Sequence, residues 1–478
     1  MMRNPLNALS RGLAAVAALA AVALGGNAQS LRTTYFMDGV QYRLQLNPAL
    51  APTRGFVHLP AISNTGASLR SNSLNVDDVI DIMENKENAD YYVSDKFMNR
   101  LDADNRALAN ANADVLAAGW WQGRNFWSFN VGVKVDGGIL VPRELFSFMR
   151  DMKGVQPVDY THYSRNIGKE ELNLNAYAEI GLGFTRQFNE RLSAGVRVKG
   201  LVGIGNINLK VNSTTVNLAL DGMNPTLDWS QATVEDFRDV SGTASIDVDA
   251  EMQSSFEGMK FLTNSDGYIN DVEMKARDMS PSGFGAAIDL GVAYRVADAV
   301  TLSAAINDLG FIKWSEGSTQ VARANTEVLS YDSSQGGDAE AMYRAMSKIE
   351  ALNPDMMRLT LDDAARKSRR TSLASTLVLG ADYAFAGDKL SVGALFTNHF
   401  ARIRNEAEVT LSFNYRPSSL VNLSASYSPI ISGGQSVGVA LKLGPIFIGT
   451  DYLYMGKKGK CSNALVGISI PLGEKPEI

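Results

Sequence analysis

The stretch LNLNAYAEIGLGF, residues 172–184, alternates residue by residue between two kinds of side chain. One set is apolar and the other is mostly polar or small: Leu172, Leu174, Ala176, Ala178, Ile180, Leu182 and Phe184 against Asn173, Asn175, Tyr177, Glu179, Gly181 and Gly183. A period of two is typical of a β-strand whose two faces meet different surroundings. The stretch also reaches the roughly nine to eleven residues that a tilted membrane-spanning strand needs.

The same alternation recurs along most of the chain: 127–135, 192–199, 288–294, 373–385, 388–400, 409–415, 421–427, 435–443, 445–454 and 462–471. Short polar turns join several of these segments, and aromatic residues precede turns as an interfacial girdle requires: Phe184, Tyr294, Tyr383, Tyr415 and Tyr427. A soluble β-sandwich also alternates, but its strands are usually shorter. We therefore predict an all-β fold, a closed antiparallel up-and-down transmembrane β-barrel of about 14 strands.

The N-terminus has the features of a secretory signal peptide. Arg3 and Arg11 supply positive charge, 13–24 is an apolar run too short to span a bilayer, and Gly26-Asn27-Ala28 offers a cleavage site. We expect cleavage near Ala28 and localisation in a bacterial outer membrane. Because Cys461 is the single cysteine, no intramolecular disulfide can form.

We divide the chain into a signal peptide (1–28), an N-terminal hatch-like or plug-like segment (29–114) and the barrel (115–478). The barrel is expected to carry long, polar, partly helical loops at 137–170, 214–282 and 315–370. Helices are predicted at Val76–Glu84, Lys96–Ala113 and Ala339–Leu352. The N-terminal segment could fold inside the barrel or lie at its periplasmic mouth.

Composition and motifs exclude several function classes. Of the 478 residues, 45 are Lys or Arg and 51 are Asp or Glu, which gives a net charge of −6 and argues against nucleic acid as a partner. His58, His162 and His399 are not spaced as metal ligands. No nucleophile elbow, zinc-protease motif or phosphate loop occurs, so we expect no metal, no cofactor and no enzymatic activity.

Charged residues on the polar strand faces are predicted to point into the lumen, because a Lys or Arg facing lipid near midplane costs about 2–4 kcal/mol. These lumen-facing candidates are Lys134, Glu179, Arg197, Lys199, Asp289, Asp382, His399, Lys442 and Asp451. They could line a permeation path, or they could pair and fill the interior. We favour the second hypothesis because acidic and basic residues occur in similar numbers.

Three short motifs connect the chain to a known group: the leader end Asn27-Ala28-Gln29-Ser30, then Asn47-Pro48-Ala49-Leu50, and Asn307–Trp314 before a long insertion. With the Gly-rich hairpins, they resemble the FadL/PorV-like outer-membrane superfamily, in an uncharacterised branch that is a domain-of-unknown-function family. The resemblance implies a fourteen-stranded barrel with an N-terminal hatch, and it places Asn47 and Pro48 near the start of the hatch. The segment 38–114 is longer than a FadL-type hatch.

Two functions follow from these observations. The first is a passive channel or transporter for small hydrophobic molecules, with outer-membrane lipids and a small hydrophobic ligand as partners. The alternative is a structural or docking component with a blocked lumen, similar to type IX secretion accessory proteins, whose loops at 214–282 or 315–370 bind a protein. The basic run 366–370 could contact anionic lipid sugars or a partner, but we favour a solvated loop as its interpretation.

Overall fold

The computed structural model describes residues 31–58, 64–85, 88–264, 267–278, 280–332, 334, 338–346, 359–418, 420–431, 434–454 and 460–474. The predicted signal peptide lies outside these residues. In chain order the strands are β1 (Arg54–His58), β2 (Asn64–Ser71), β3 (Asp104–Gln122), β4 (Asn125–Pro142), β5 (Tyr163–Asn166), β6 (Glu170–Gln187), β7 (Leu192–Asp221), β8 (Ser241–Phe256), β9 (Met259–Thr263), β10 (Ile269–Met274), β11 (Gly283–Ala297), β12 (Val300–Trp314), β13 (Thr319–Asp332), β14 (Thr360–Leu361), β15 (Arg369–Ser372), β16 (Ser375–Phe385), β17 (Leu390–Phe400), β18 (Asn405–Ser418), β19 (Val421–Ile431), β20 (Gly434–Leu443), β21 (Ile446–Tyr454) and β22 (Cys461–Glu474).

The described α-helices are α1 (Val76–Glu84), α2 (Ala89–Val93), α3 (Asp95–Met98), α4 (Arg143–Met152) and α5 (Ala339–Met346). None of the helices in the described ranges is long and apolar enough to cross a membrane. Short 3-10 helices occur at Arg32–Thr34, Gln41–Gln45, Tyr160–His162, Trp229–Gln231, Val234–Phe237, Ala276–Asp278 and Asp363–Ala365.

Fourteen antiparallel strands close into one barrel, which confirms the predicted fold class. The first wall strand is built from β1 and β2 in succession, and both pair with β22 on one side and with β3 on the other. The ladder then runs in the order β3, β4, β6, β7, β11, β12, β16, β17, β18, β19, β20, β21 and β22. Each of the fourteen wall strands is therefore paired on both sides, and unpaired strand edges are not tolerated in lipid.

The two ends of the barrel differ in their connections. At the turn end, where β1 begins and β22 ends, short turns join β3 to β4, β6 to β7, β11 to β12, β16 to β17, β18 to β19 and β20 to β21. The opposite, loop end carries the long connections 72–103, 143–169, 222–282 and 315–374. In outer-membrane barrels the short turns are periplasmic and the long loops are extracellular.

The aromatic residues predicted to form a girdle do not all lie at one end. Tyr294, Tyr383 and Tyr415 are exposed on the outer surface near the turn end, and the ring of Phe184 lies 4.7 Å from that of Trp127 at the same end. Tyr427 lies past the middle of β19, toward the loop end. A position just before a turn does not reveal at which end of the barrel that turn lies, so the sequence alone places all five aromatic residues in one group.

The expected loops at 137–170, 214–282 and 315–370 are largely regular structure. Strand β7 is 30 residues long and continues beyond the wall, where it pairs with β8, and β8 pairs with β13. With helices α1 to α5 these strands form a cap around a hydrophobic core of its own, which includes Tyr92, Phe97, Phe146, Phe148, Met149, Trp229 and Phe237. Strand β8 alternates in the sequence as well, because Ala244, Ile246 and Val248 are buried in the cap core and polar residues lie between them. The loop assigned to 214–282 overlooks this pattern.

The N-terminal boundary at 115 was also wrong, because the wall begins at Arg54. Helix α1 has the predicted bounds and is capped by Asn75, but the predicted helix 96–113 is helical only in α3 and then becomes β3. The alanines of β3 favour a helix, yet pairing with β2 and β4 overrides that propensity. Helix α5 begins at Ala339 as predicted, and the predicted end at Leu352 lies outside the described residues.

Candidate functional site: the occupied lumen

Residues 31–53, here called the luminal segment, run inside the barrel before the first wall strand. Tyr35, Met37 and Val40 are fully buried there, although no strand of the wall contains them. The segment folds back on itself, and the Thr53 backbone N–H donates to the Asp38 carbonyl at 3.4 Å. It therefore occupies part of the lumen as a compact folded unit.

Glycines on the facing strands provide the room for this segment. A Cβ atom built at Gly195 would lie 2.2 Å from the Pro48 carbonyl oxygen, and one at Gly291 would lie 2.1 Å from Asn47 Oδ1. The same close approach recurs at Gly380 with Tyr35, Gly393 with Phe36, Gly438 with Thr33 and Gly449 with Leu31. The wall and the luminal segment thus have complementary shapes over several strands.

Asn47 and Pro48 lie at the centre of the contact with β6, β7, β11 and β12. Asn47 is fully buried, and its Nδ2 donates to the Tyr35 hydroxyl at 3.0 Å and to the Ala304 carbonyl at 3.3 Å. The Pro48 carbonyl accepts from Thr185 Oγ1 at 2.5 Å. Asn307 Nδ2 donates to the Leu46 carbonyl at 2.8 Å, so the motif is held from both sides.

A first group of charges, the six-charge cluster, lies on β4, β6, β7, β11 and β12. Lys199 Nζ is 2.8 Å from Asp289 and 2.6 Å from Asp308, while Arg197 Nε is 3.0 Å from Asp289. Lys134 Nζ is 2.8 Å from Glu179, which also lies 3.8 Å from Lys199. The cluster has three cations and three carboxylates, so its charges can balance internally.

A second group, the Arg32–Arg70 cluster, joins the luminal segment to the opposite wall. Arg32 pairs with Glu408 and lies 3.5 Å from Asp451, and Arg70 lies 2.6 Å from Glu406. Asp451 also accepts from the backbone N–H of Thr33 at 2.9 Å. This cluster therefore fixes the start of the described luminal segment to β18 and β21.

The remaining lumen-facing candidates lie apart from these clusters. Lys442 Nζ donates to the Gly39 carbonyl of the luminal segment. His399 Nδ1 is 2.9 Å from Thr376 Oγ1, and Asp382 lines a cavity at the turn end. In the described part of the chain no group of three His, Cys, Asp or Glu side chains is arranged to hold a metal ion.

Several members of both clusters are absent from the residues that the sequence pattern predicts to face the lumen. Asp308 sits in a β-bulge with a φ of 58°, which breaks the alternation that identified its neighbours. Arg32 and Arg70 fell in the segment assigned to a hatch. Glu406 and Glu408 could have been found by following the alternation of β18 back from Val409 to its first residues.

Three cavities lie along the barrel axis. The loop-end cavity of about 410 Å³ and the central cavity of about 140 Å³ share Asn110, Asp136, Ala374 and His399 in their linings. The turn-end cavity of about 590 Å³ is lined by Tyr35, Asp38, Arg43 and Asp382 among others. It shares no lining residue with the central cavity, and the luminal segment lies between the two.

Comparison with known proteins places residues 48–451 in a family described as a family of unknown function, DUF5723. No curated protein sequence matches the chain. Similar solved structures include a mutant of TodX, a monoaromatic hydrocarbon channel, with 11% identity, TM-score 0.41, and 90% and 94% of the two chains covered. The Ralstonia pickettii toluene transporter TbuX (9%, 0.39, 94% and 96%) and a Pseudomonas aeruginosa FadL homologue (10%, 0.39, 93% and 96%) are also similar.

Proposed function

The chain belongs to the DUF5723 family of unknown function, and we propose that it is a passive outer-membrane channel for small molecules whose luminal segment holds it closed. The observation that carries this proposal is the row of cavities along the barrel axis, interrupted between the central and turn-end cavities by the luminal segment. Removal of that interruption would join the loop end to the turn end through the lumen.

The linings of the cavities bear on the cargo. Asn110, Asn173, Asn175 and His399 line the loop-end cavity, and charged side chains from both clusters line the central cavity. A purely apolar molecule would have to desolvate these groups without replacing their hydrogen bonds. The hydrophobic cargo expected from the sequence stays a prediction, and the linings favour a cargo with at least one polar group.

Opening requires that the luminal segment leave its glycine-lined cradle. The contacts at Asn47 and Pro48 are buried hydrogen bonds and the contact at Gly39 is a partly buried one, and each contributes about 1 kcal/mol. The ion pairs of Arg32 would also have to separate. The open state is therefore rare unless a ligand or a partner binds it preferentially.

The test displaces the segment by changing the wall. Gly195→Ala combined with Gly291→Ala places Cβ atoms against the backbone of Pro48 and the side chain of Asn47. The matched control is Gly200→Ala on the same strand, where the atom nearest to a new Cβ, the Ile180 carbonyl oxygen, is 4.0 Å away. We expect the double variant to conduct in planar bilayers at least tenfold more often than the wild type, and the control to match the wild type.

If the luminal segment of the double variant has moved and the variant still does not conduct, the channel function is contradicted. Displacement is measured separately, as faster cleavage of the segment by a protease added from the turn-end side of proteoliposomes. Cleavage without conductance would exclude permeation through this lumen.

The cap supports a second candidate function, the docking of a protein partner. It has its own hydrophobic core, and Leu262 and Val272 of the hairpin β9–β10 are exposed apolar residues on it. A docking component would bind a stoichiometric partner that copurifies from the outer membrane and is lost in Leu262→Asp with Val272→Asp. A partner retained by this double variant would exclude docking through the hairpin.

A further inference from the structure

At the loop end, the strands on one side of the barrel wall are shorter than those on the other side. Strand β15 pairs with β12 through one edge, and the structure gives its other edge no strand partner within the described residues. Next to it β17 ends at Phe400 and β18 begins at Asn405. On the opposite side of the wall, β3, β4 and β6 extend further toward the loop end and join the cap. The loop-end cavity therefore opens to the outside beside β15.

Arginines surround this opening. Arg370 and Arg402 line the rim of the cavity on the shorter side, and neither forms an ion pair with a carboxylate of the described residues. The Arg370 guanidinium stacks on the Phe311 ring, with its Cζ 3.5 Å from the ring centroid, which leaves the edge of the guanidinium for an anion. Arg369, next to Arg370, donates to the neutral oxygens of Ser255 (2.8 Å) and Gln253 (3.3 Å). Arg402 is close enough to Arg369 for their positive charges to repel each other.

A further arginine forms part of the cavity lining deeper in the lumen. Arg70 is 2% exposed and its Nη1 pairs with Glu406 at 2.6 Å. Its Nε and Nη2 atoms have no hydrogen-bond partner. Buried guanidinium N–H groups without an acceptor are costly, and an anionic oxygen would satisfy them.

Few negative charges oppose these arginines. Asp136 lines the same cavity and accepts from Asn175 Nδ2 at 2.8 Å, and Glu406 is engaged by Arg70. His399 also faces the cavity, and its Nδ1 contacts the neutral hydroxyl of Thr376. Arg402 also lines an adjoining cavity with Asp249 and Glu251, and Lys210 and Arg323 line that cavity too. The cations around the opening therefore still exceed the carboxylates, which leaves it with net positive charge.

We propose that this opening is an anion-selective entrance, in which Arg70, Arg370 and Arg402 bind the carboxylate or phosphate of a small organic cargo. The inference rests on the proposed channel function and names its substrate class. Arginine suits the role because its planar fork matches both anions, and rings of cationic side chains select anions in other pores. The cavity, at about 410 Å³, is large enough for a molecule of the size of benzoate.

The anionic group could also come from a membrane lipid. A lipid phosphate outside the wall would depend on Arg370 and Arg402 at the rim, whereas a cargo inside the cavity would depend on Arg70 as well. The variant Arg70→Lys separates these sources, because it keeps a positive charge for Glu406 and removes the two unpartnered N–H groups.

The experiment titrates the full chain in detergent with benzoate, and with benzyl alcohol as the neutral probe, and measures equilibrium binding by calorimetry. We expect benzoate to bind and benzyl alcohol to bind at least tenfold more weakly. Arg370→Gln with Arg402→Gln, and separately Arg70→Lys, should each weaken benzoate at least fivefold. Lys367→Gln, which removes a charge from the same basic run but does not line the cavity, should change affinity less than twofold.

Equal affinity for the two probes, no benzoate binding, or equal weakening by Lys367→Gln would overturn the entrance. An effect of the rim variants without an effect of Arg70→Lys would assign the site to a lipid anion outside the lumen and overturn the cargo proposal. Benzoate binding without any flux through the barrel would refute the channel function, but the proposal of an anion-binding site would stand. Flux of small molecules without preference for anions would refute the anion-selective entrance, but the proposed channel function would stand.

Discussion

Lys199 is a buried cation held by carboxylates from three strands. Its side chain is 1% exposed, and Asp289, Asp308 and Glu179 surround it at 2.8, 2.6 and 3.8 Å. Removal of one partner from a buried charge network leaves the others uncompensated. The six-charge cluster therefore depends more on Lys199 than on Lys134, whose side chain is 27% exposed.

We expect Lys199→Met to lower the free energy of unfolding by roughly 3–5 kcal/mol, because three carboxylates then share the charges of Lys134 and Arg197. Urea titration of the barrel, followed by the mobility of unboiled samples in gels, measures the change. Lys134→Met is the matched control and should cost less. Equal midpoints for Lys199→Met and the wild type would show that the cluster adds nothing to stability.

At the scale of elements, the short helices of the cap are joined by charges as well as by their core. Asp81 of α1 lies 2.9 Å from Lys96 of α3 and 2.8 Å from Arg100, and it accepts from the Tyr91 hydroxyl at 3.1 Å. The hydrogen bond from Lys96, with those from Arg100 and Tyr91, lowers the pKa of Asp81 to about 2. Because this pKa is below its unfolded value, the stabilisation is present above about pH 4 and is lost as pH falls toward 2.

Hydrogen exchange across 76–84, corrected for intrinsic rates, should show lower protection at pH 2.5 than at pH 5. The loss should amount to about 1 kcal/mol once solvent screening is allowed for. Asp81→Asn should already have the lower protection at pH 5 and should change little between the two values. The exposed Glu84→Gln serves as control, and a pH response in Asp81→Asn equal to that of the wild type would contradict the assignment.

The elements also show what sequence could predict. Strands such as β6, β16 and β20 are predicted nearly whole, because one face meets lipid and the other the lumen, so every second residue is apolar. Strand β8 also alternates, with Ala244, Ile246 and Val248 buried in the cap core, yet it lies within the polar stretch 214–282 that the sequence predicts as a loop. The pairing of Lys199 with Asp308 depends on a bulge and on strand order, which no local pattern contains. The close approach of Gly195 to Pro48 and of Gly291 to Asn47 likewise cannot be predicted from sequence, because it depends on how distant segments pack in the folded barrel.

At the scale of the whole molecule, the difference between the two ends predicts the orientation in the membrane. Arg277 is exposed in the connection before β11 at the loop end, whereas Arg191 lies in the turn before β7. Trypsin added to intact cells should cleave after Arg277 and leave Arg191 uncut, and opening of the outer membrane should make Arg191 accessible. Fragments are identified by mass spectrometry. Cleavage at Arg191 in intact cells would reverse the orientation.

The luminal segment precedes the whole wall in the chain, yet its contacts reach β7, β11, β16, β17, β20 and β21. These partners are synthesised after it, and β22 completes the ladder against β1 and β2. In a newly exported chain the luminal segment therefore lacks most of its contacts until the C-terminal strands have been synthesised and paired. In the closed channel proposed above, a wall that forms around this segment already has its lumen blocked when it enters the membrane, so assembly would not pass through a leaking intermediate.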